Sequence, residues 1–382
     1  MKKLAYLITH PIPYQASLMR ELSNSKIFKL KVFYCSKITL SNYKDKEMNK
    51  KINWNYDLLS GYNYKFLKSF FDFGIPSFLL PINYGLIYDL KKNNYDYILI
   101  HGHARFYNLF VIIFSKILGI KVFLRSESNN QHAKKKLLSK FILSLINPFI
   151  YKYLAIGSLN RDYYLSKGIN KKKIKMMYYT VDNNFFQDYK VDINQKKKFY
   201  NHHNLSNKTI FLFAAKYIER KNLIFLLTVF IDILNKNQDF KNKAHLLLIG
   251  DGELKPKVLK IIKDYNANIS NLGFIDQKHI PFYYKISDIF IIPSKEENWG
   301  LTVNEAMCCG LPIIASDKVG SGYDLLDSNN SFKFRHDNQY ELSQILLKSL
   351  NSDLKKMSRF SIKKISLFNN LLNMKVIEEI IT

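Results

Sequence analysis

At 382 residues the chain exceeds what one hydrophobic core usually serves, so two domains are expected. An apolar share of 47% excludes a disordered chain, and three cysteines (Cys35, Cys308, Cys309) exclude a disulfide framework and fit a reducing cytoplasm. The net charge of +27 is lopsided: residues 1–200 hold 34 Lys and Arg against 12 Asp and Glu, residues 201–382 hold 24 against 19, so the N-terminal half is expected to face an anionic partner.

Short apolar runs alternate with longer helical stretches, the rhythm of βαβ units in an open parallel sheet. The opening run from Leu4 to Ile8 is too short for a signal-peptide core and reads as a first buried strand. Further strands are expected at 30–35, 97–101, 122–125 and 153–156, with helices at 16–22, 109–118, 135–144 and 159–167. Residues 37–83 show no clear period and read as loops. The stretch 133–153 combines lysines with a Leu/Ile/Phe face and suits either a core helix with a wet basic side or an anionic membrane interface. No run approaches the roughly 18 apolar residues of a spanning helix.

After Phe186 a Lys-rich, polar stretch reads as a linker with a short helix. The rhythm then restarts, with strands at 209–214, 245–249, 269–272, 289–292 and 312–315. Helices are expected at 223–235, 254–266, 280–285 and 301–309, and one or two amphipathic helices over 354–382. The expected class is α/β, two doubly wound Rossmann-like domains facing a central cleft. Their bounds are 1–186 for an N-terminal domain, 187–207 for the linker, 208–353 for a C-terminal domain and 354–382 for the terminal helices. Ligands of such sheets sit beyond the carboxyl ends of the strands.

The densest signal lies in the run PSKEENWGLTVNEAMCCGLP. A strand closes at Pro293, a helix opens near Leu301, and Gly310 with Pro312 stops it. The N–H groups of Gly300, Leu301 and Thr302 then point out of a helix N-terminus, a ready anion site. Glu297 stands just before that site and Glu305 about one turn inside it. A phosphate held near two carboxylates that grip hydroxyls is the outline of a nucleotide-sugar site.

Glu-x7-Glu followed by Ala-Met-x-x-Gly-x-Pro resembles the donor motif of the retaining glycosyltransferases of family 4, which have the two-domain GT-B fold. The resemblance implies that Glu297 contacts hydroxyls of the transferred sugar and Glu305 the ribose. It also implies that the last helix returns to the N-terminal domain. In FLFAAKYIERKN the pattern is similar to the family's Gly-Arg followed by Lys-Gly, whose cations hold the donor phosphates; here Ala215 replaces the Gly and Lys216 the Arg, with Lys221 as the second cation. The resemblance also implies Gly252 and Glu253, in the turn Gly250–Glu253, as donor-lining candidates. Asn271–Ile275 resembles the base-contacting loop, with the backbone of Phe274 and Ile275 meeting the base.

In the N-terminal half, His10 and His103 each follow a strand end, where an imidazole can take an acceptor proton or bind a sugar. Many family members place a His after the strand at 122–125; this chain has Arg125-Ser126-Glu127-Ser128. Arg125 and Glu127 are the substitutes, either as substrate contacts or as an ion pair with each other. No Asp-x-Asp occurs and no Cys/His spacing suits a metal.

These readings converge on a retaining, metal-independent glycosyltransferase that moves a sugar from a nucleoside diphosphate donor to a hydroxyl acceptor. No cofactor beyond the donor is expected, and the base is left open. The acceptor is expected to be a glycan or lipid-linked glycan of bacterial surface polysaccharide assembly. The setting is cytoplasmic or peripheral on the inner face of the plasma membrane, with the basic half toward anionic lipid and nucleic acid disfavoured. Two alternatives are a GT-B sugar-nucleotide epimerase, which needs its own acid–base pair and no acceptor, and a non-catalytic binder of an anionic polymer.

Overall fold

The structure, a computed structural model, describes the chain except residues 41, 42, 46, 49, 53, 71–77, 80, 81, 104, 132–135, 266 and 267, and the side chains of 43, 44, 51, 52 and 136–139. The starts of the expected segments 133–153 and 135–144, and the end of 254–266, therefore lie outside the described residues. The chain divides into two compact units: Met1–Tyr43, Tyr56–Asp182 and Phe368–Thr382 form the first, Lys44–Asn55 and Asn183–Leu367 the second.

The main sheet of the first unit is built from β1 (Lys2–Ile8), β2 (Phe28–Tyr34), β3 (Tyr64–Phe66), β4 (Tyr97–His101), β5 (Lys121–Ser126), β6 (Ile150–Ala155) and β7 (Ile174–Met176). They form one sheet in the order β7-β6-β5-β4-β1-β2-β3, every pairing parallel. Both faces of such a sheet are covered, which is why its strands read as unbroken apolar runs. Leu4, Ala5, Tyr6 and Leu7 of β1 and Ile98, Leu99 and Ile100 of β4 are buried. The helix Pro13–Ser23 starts on a proline, whose fixed φ suits that position and whose missing N–H costs nothing there. Its Leu18, Met19 and Leu22 share a core with Met374, Ile377 and Ile381 of the last helix, Asn370–Ile381. Asn373, 1% exposed, anchors that helix by donating to the carbonyl of Tyr178 at 2.8 Å.

The second unit repeats the plan with β8 (Thr209–Ala214), β9 (Ala244–Ile249), β10 (Ile269–Gly273), β11 (Ile289–Ile292), β12 (Ile313–Ser316) and β13 (Ser331–Phe334). Their order is β10-β9-β8-β11-β12-β13, again all parallel. The helix Leu223–Lys236 buries Leu223, Leu226, Leu227 and Phe230 against this sheet. In each unit the strand order reverses beside the first strand, between β1 and β4 and between β8 and β11. Those reversals are the points where open α/β sheets hold ligands.

The elements that periodicity did not reveal include the short edge strands β3, β7 and β13, the seven-residue helix Leu86–Lys92 and the twelve-residue helix Gln339–Leu350. Strands of three or four residues carry too little alternation to stand out.

Candidate active site

At the reversal of the second unit, β8 ends in Ala214 and leads through Lys216 to a single turn, Glu219–Lys221. Asn222 follows with φ of 59°, a left-handed conformation that Asn tolerates better than most residues. Its buried side-chain amide donates to the carbonyls of Pro293 (3.1 Å) and His336 (2.9 Å), which pins the turn to the chain leaving β11. Lys221 thereby meets Glu297 as an ion pair, with only 14% and 12% of the two side chains exposed.

The loop carrying Glu297 is fixed by its backbone. Gly320 donates to the Glu297 carbonyl at 3.0 Å, and a Cβ on Gly320 would lie 2.0 Å from the carbonyl oxygen of Asn298. Trp299 donates from Nε1 to Asn304 at 2.8 Å inside the core. Gly300, at φ 93°, caps the helix Leu301–Cys308, and Gly310, at φ 84°, follows its end. Glu297 thus stands beside the positive end of a helix whose first N–H groups have no intrahelical acceptor.

Glu305 lies on the fifth residue of that helix. Tyr284 donates to one of its oxygens at 2.8 Å and Gln277 to the other at 3.5 Å. Burial pushes its carboxyl up to about 7, with the two hydrogen bonds pulling the other way.

Gly250 and Gly252 serve a close crossing of two chain segments. A Cβ on Gly250 would sit 2.0 Å from the Ala215 carbonyl oxygen, and one on Gly252 would sit 2.6 Å from that of Tyr217. Glu253 is exposed, while Phe274 and Ile275 are half-buried beyond β10.

Sequence reasoning missed the segment Lys44–Asn55, which lies over these same strand ends. Lys216 pairs with Asp45 and with Glu47, each at 2.7 Å, and Arg220 reaches Glu47 at 3.3 Å. Lys50 stands 5.1 Å from the Phe274 ring centre and 3.7 Å from Asp251. Burial alone would raise the Asp45 and Glu47 carboxyls; the Lys216 ammonium overrides it and holds both below the usual range. No sequence period marks such a pairing, and only the lone acids among lysines hinted at it.

The reversal of the first unit holds a hydrogen-bonded chain. Tyr179 donates to Glu127 at 2.5 Å and sits 3.0 Å from His101 Nε2, while Tyr6 lies 3.4 Å from His101 Nδ1. Burial and the nearby Arg125 charge push His101 down to about 3, so it is neutral. A neutral ring protonated on Nε2 satisfies all three contacts, with Tyr6 donating to Nδ1 and Tyr179 keeping its hydrogen for Glu127. Arg125 turns inward. It is 1% exposed, donates to the carbonyls of Met177 (3.1 Å) and Tyr178 (2.9 Å), and lies 4.8 Å from the Tyr179 ring centre. Glu127, by contrast, keeps 45% of its side chain exposed. His10 and His103 are each pushed down to about 4, chiefly by burial. Among the described residues, no group of three or more His, Cys, Asp or Glu is arranged to hold a metal ion.

Residues 194–365 match the family described as glycosyl transferases group 1. An uncharacterized glycosyltransferase of Methanocaldococcus jannaschii is 25% identical over 74% of this chain and 74% of its own length. The alpha-monoglucosyldiacylglycerol synthase of Acholeplasma laidlawii is 31% identical, over 28% of this chain and 27% of that protein. Among solved structures, Anabaena HepE in complex with UDP and glucose superposes with a TM-score of 0.70 at 15% identity, covering 99% of each chain. The fold is GT-B, two Rossmann-like domains. In sequence the second unit is similar to the group 1 glycosyl transferases, and about three quarters of the chain is similar to a glycosyltransferase.

Proposed function

We infer that the protein is a retaining glycosyltransferase that works without a metal and moves a sugar from a nucleoside diphosphate to a hydroxyl acceptor. One observation carries this reading: Lys221 and Glu297 pair beside the N-terminus of helix Leu301–Cys308 at the strand reversal, with Glu305 one turn on. A diphosphate there meets Lys221, Lys216 and the amides of Gly300, Leu301 and Thr302, which neutralise the charge that grows on the leaving group. Glu297 orients the sugar through its hydroxyls and Glu305 takes the ribose. Attack on the face the diphosphate leaves retains the stereochemistry and needs no enzymic nucleophile. Gly252, Glu253, Phe274 and Ile275 flank the nucleotide. The likeness to HepE, whose structure holds UDP and glucose, supports a sugar nucleotide as donor.

In the first unit Glu127 is the acceptor-side group, held by Tyr179, with His10 and His103 near the same strand ends. The acceptor is a glycan or lipid-linked glycan of surface polysaccharide assembly, presented at an anionic membrane face. The Acholeplasma relative's name, a diacylglycerol glycolipid synthase, supports a lipid-borne acceptor.

A thermal-shift screen against UDP-, GDP-, dTDP- and ADP-sugars tests the donor site. Stabilisation by one nucleotide family, with its sugar-dependent part lost in Glu297→Ala, is the expected result. No shift at a ligand excess of about 100-fold over Kd, where about 2.7 kcal/mol should be gained, sinks it.

A further inference from the structure

The helix Phe106–Ile117 is apolar on both sides. Its inner face buries Tyr107, Val111 and Ile112, as a helix covering a parallel sheet should. The opposite face carries Phe106, Phe110, Ile113, Phe114 and Ile117, spaced at helical intervals and all exposed, Phe106 by 56% and Ile117 by 69%. Phe110 and Phe114 lie against each other, ring centres 4.3 Å apart. At the start of the helix, the Phe106 N–H donates to the carbonyl of Phe78, a residue itself 53% exposed. The neighbouring helix Lys136–Ile146 adds Phe141 and Leu145, 61% and 55% exposed. So large an apolar surface left in water marks an interaction site.

Charge says what kind. Neither helix contains an Asp or Glu, and residues 102–153 hold nine Lys and Arg against one acid, Glu127. Lys116 and Lys140 are exposed on these two helices. Lysines place apolar stems along such a surface and ammonium groups at its rim. An apolar stripe rimmed by cations suits the boundary of an anionic bilayer, where burial of rings and attraction to headgroups add. Among the described residues no helix is long and apolar enough to cross a membrane, so the contact is one of lying on the surface.

We propose that the outward face of helix Phe106–Ile117, joined by Phe141 and Leu145, docks the protein on an anionic lipid bilayer. The inference rests on the membrane-facing part of the function proposed above and names its surface.

Co-sedimentation of the full chain with vesicles tests it, using phosphatidylcholine alone and phosphatidylcholine mixed equally with phosphatidylglycerol. Wild type is expected to pellet with the mixed vesicles and not with the neutral ones. Phe110→Ser with Phe114→Ser is expected to cut binding at least about tenfold. Lys116→Gln with Lys140→Gln is expected to weaken binding and flatten its salt dependence. Both variants change exposed positions, and circular dichroism melts confirm that they fold. Wild type bound but the Phe variant unaffected overturns the surface and leaves the membrane reading standing. No binding by wild type overturns both. A dimer in sedimentation equilibrium that the Phe variant dissociates assigns the face to a second copy and overturns the proposal. The thermal-shift screen on the same preparations reads the donor site separately.

Discussion

Lys216 and Asp45 meet at 2.7 Å although 171 residues separate them in the chain. The cation suited to a donor phosphate is thus already held by carboxylates, Asp45 on one side and Glu47 on the other. On the function proposed above, an incoming diphosphate would compete with them for the same ammonium group.

Asp45→Asn combined with Glu47→Gln is therefore expected to tighten nucleotide binding. The Lys216–Glu47 pair is partly exposed and worth about 1 kcal/mol or less, while Asp45, 8% exposed, is shielded and holds the ammonium more firmly, so the gain is roughly tenfold. Titration calorimetry with the nucleotide that stabilises wild type measures it. Unchanged affinity would mean that Lys216 takes no part in holding the diphosphate.

Glu305 gives stability a pH dependence of a definite sign. Its carboxyl titrates near 4.5 in the unfolded chain and about 7 in the folded one, so the folded state binds this proton more tightly. The resulting stabilisation is full below the unfolded value and is lost as pH rises toward about 7. Glu305→Gln does not titrate. Its stability relative to wild type should therefore climb between about pH 5 and 7 and then level off, by a difference on the order of 3 kcal/mol. A flat difference across that range would place the carboxyl elsewhere.

The Lys221–Glu297 pair is mostly shielded, so removing one partner strands the other. Lys221→Ala and Glu297→Ala are each expected to cost roughly 1–3 kcal/mol in urea unfolding, and the double variant less than their sum. Additive losses would show that the two side chains do not couple.

Tyr179→Phe removes the hydroxyl shared by His101 and Glu127. A loss of about 1–3 kcal/mol in stability is expected from the partners left unsatisfied. If Glu127 acts on the acceptor, kcat of transfer falls as well, because Tyr179 no longer holds the carboxylate in place. A stability loss with unchanged transfer would make the contact purely structural.

The local structure around the second unit's candidate site was legible in the sequence because its parts lie close together in the chain. β11, Gly300, the helix Leu301–Cys308 and Gly310 lie within some twenty consecutive residues, and each obeys a local rule of strand, cap or stop. The strands were legible for the same reason: parallel sheets covered on both faces need unbroken apolar runs. What stayed hidden was long-range or two-faced. Asp45 on Lys216 follows no period. Arg125 gives no sign in sequence that its charge turns inward to two carbonyls. Helix Phe106–Ile117 is apolar all round, and periodicity alone does not tell which side is wet.

The helix Asn370–Ile381 has a consequence for biosynthesis. It completes the core of a unit whose other strands and helices are all translated before residue 183, with the long second-unit stretch Asn183–Leu367 coming between. Domains ordinarily fold in the order they emerge from the ribosome. Here the first unit waits with Leu18, Met19 and Leu22 uncovered while the second is made and can fold. Its nascent chain offers an apolar groove for that interval, and a stalled or shortened product would keep it open.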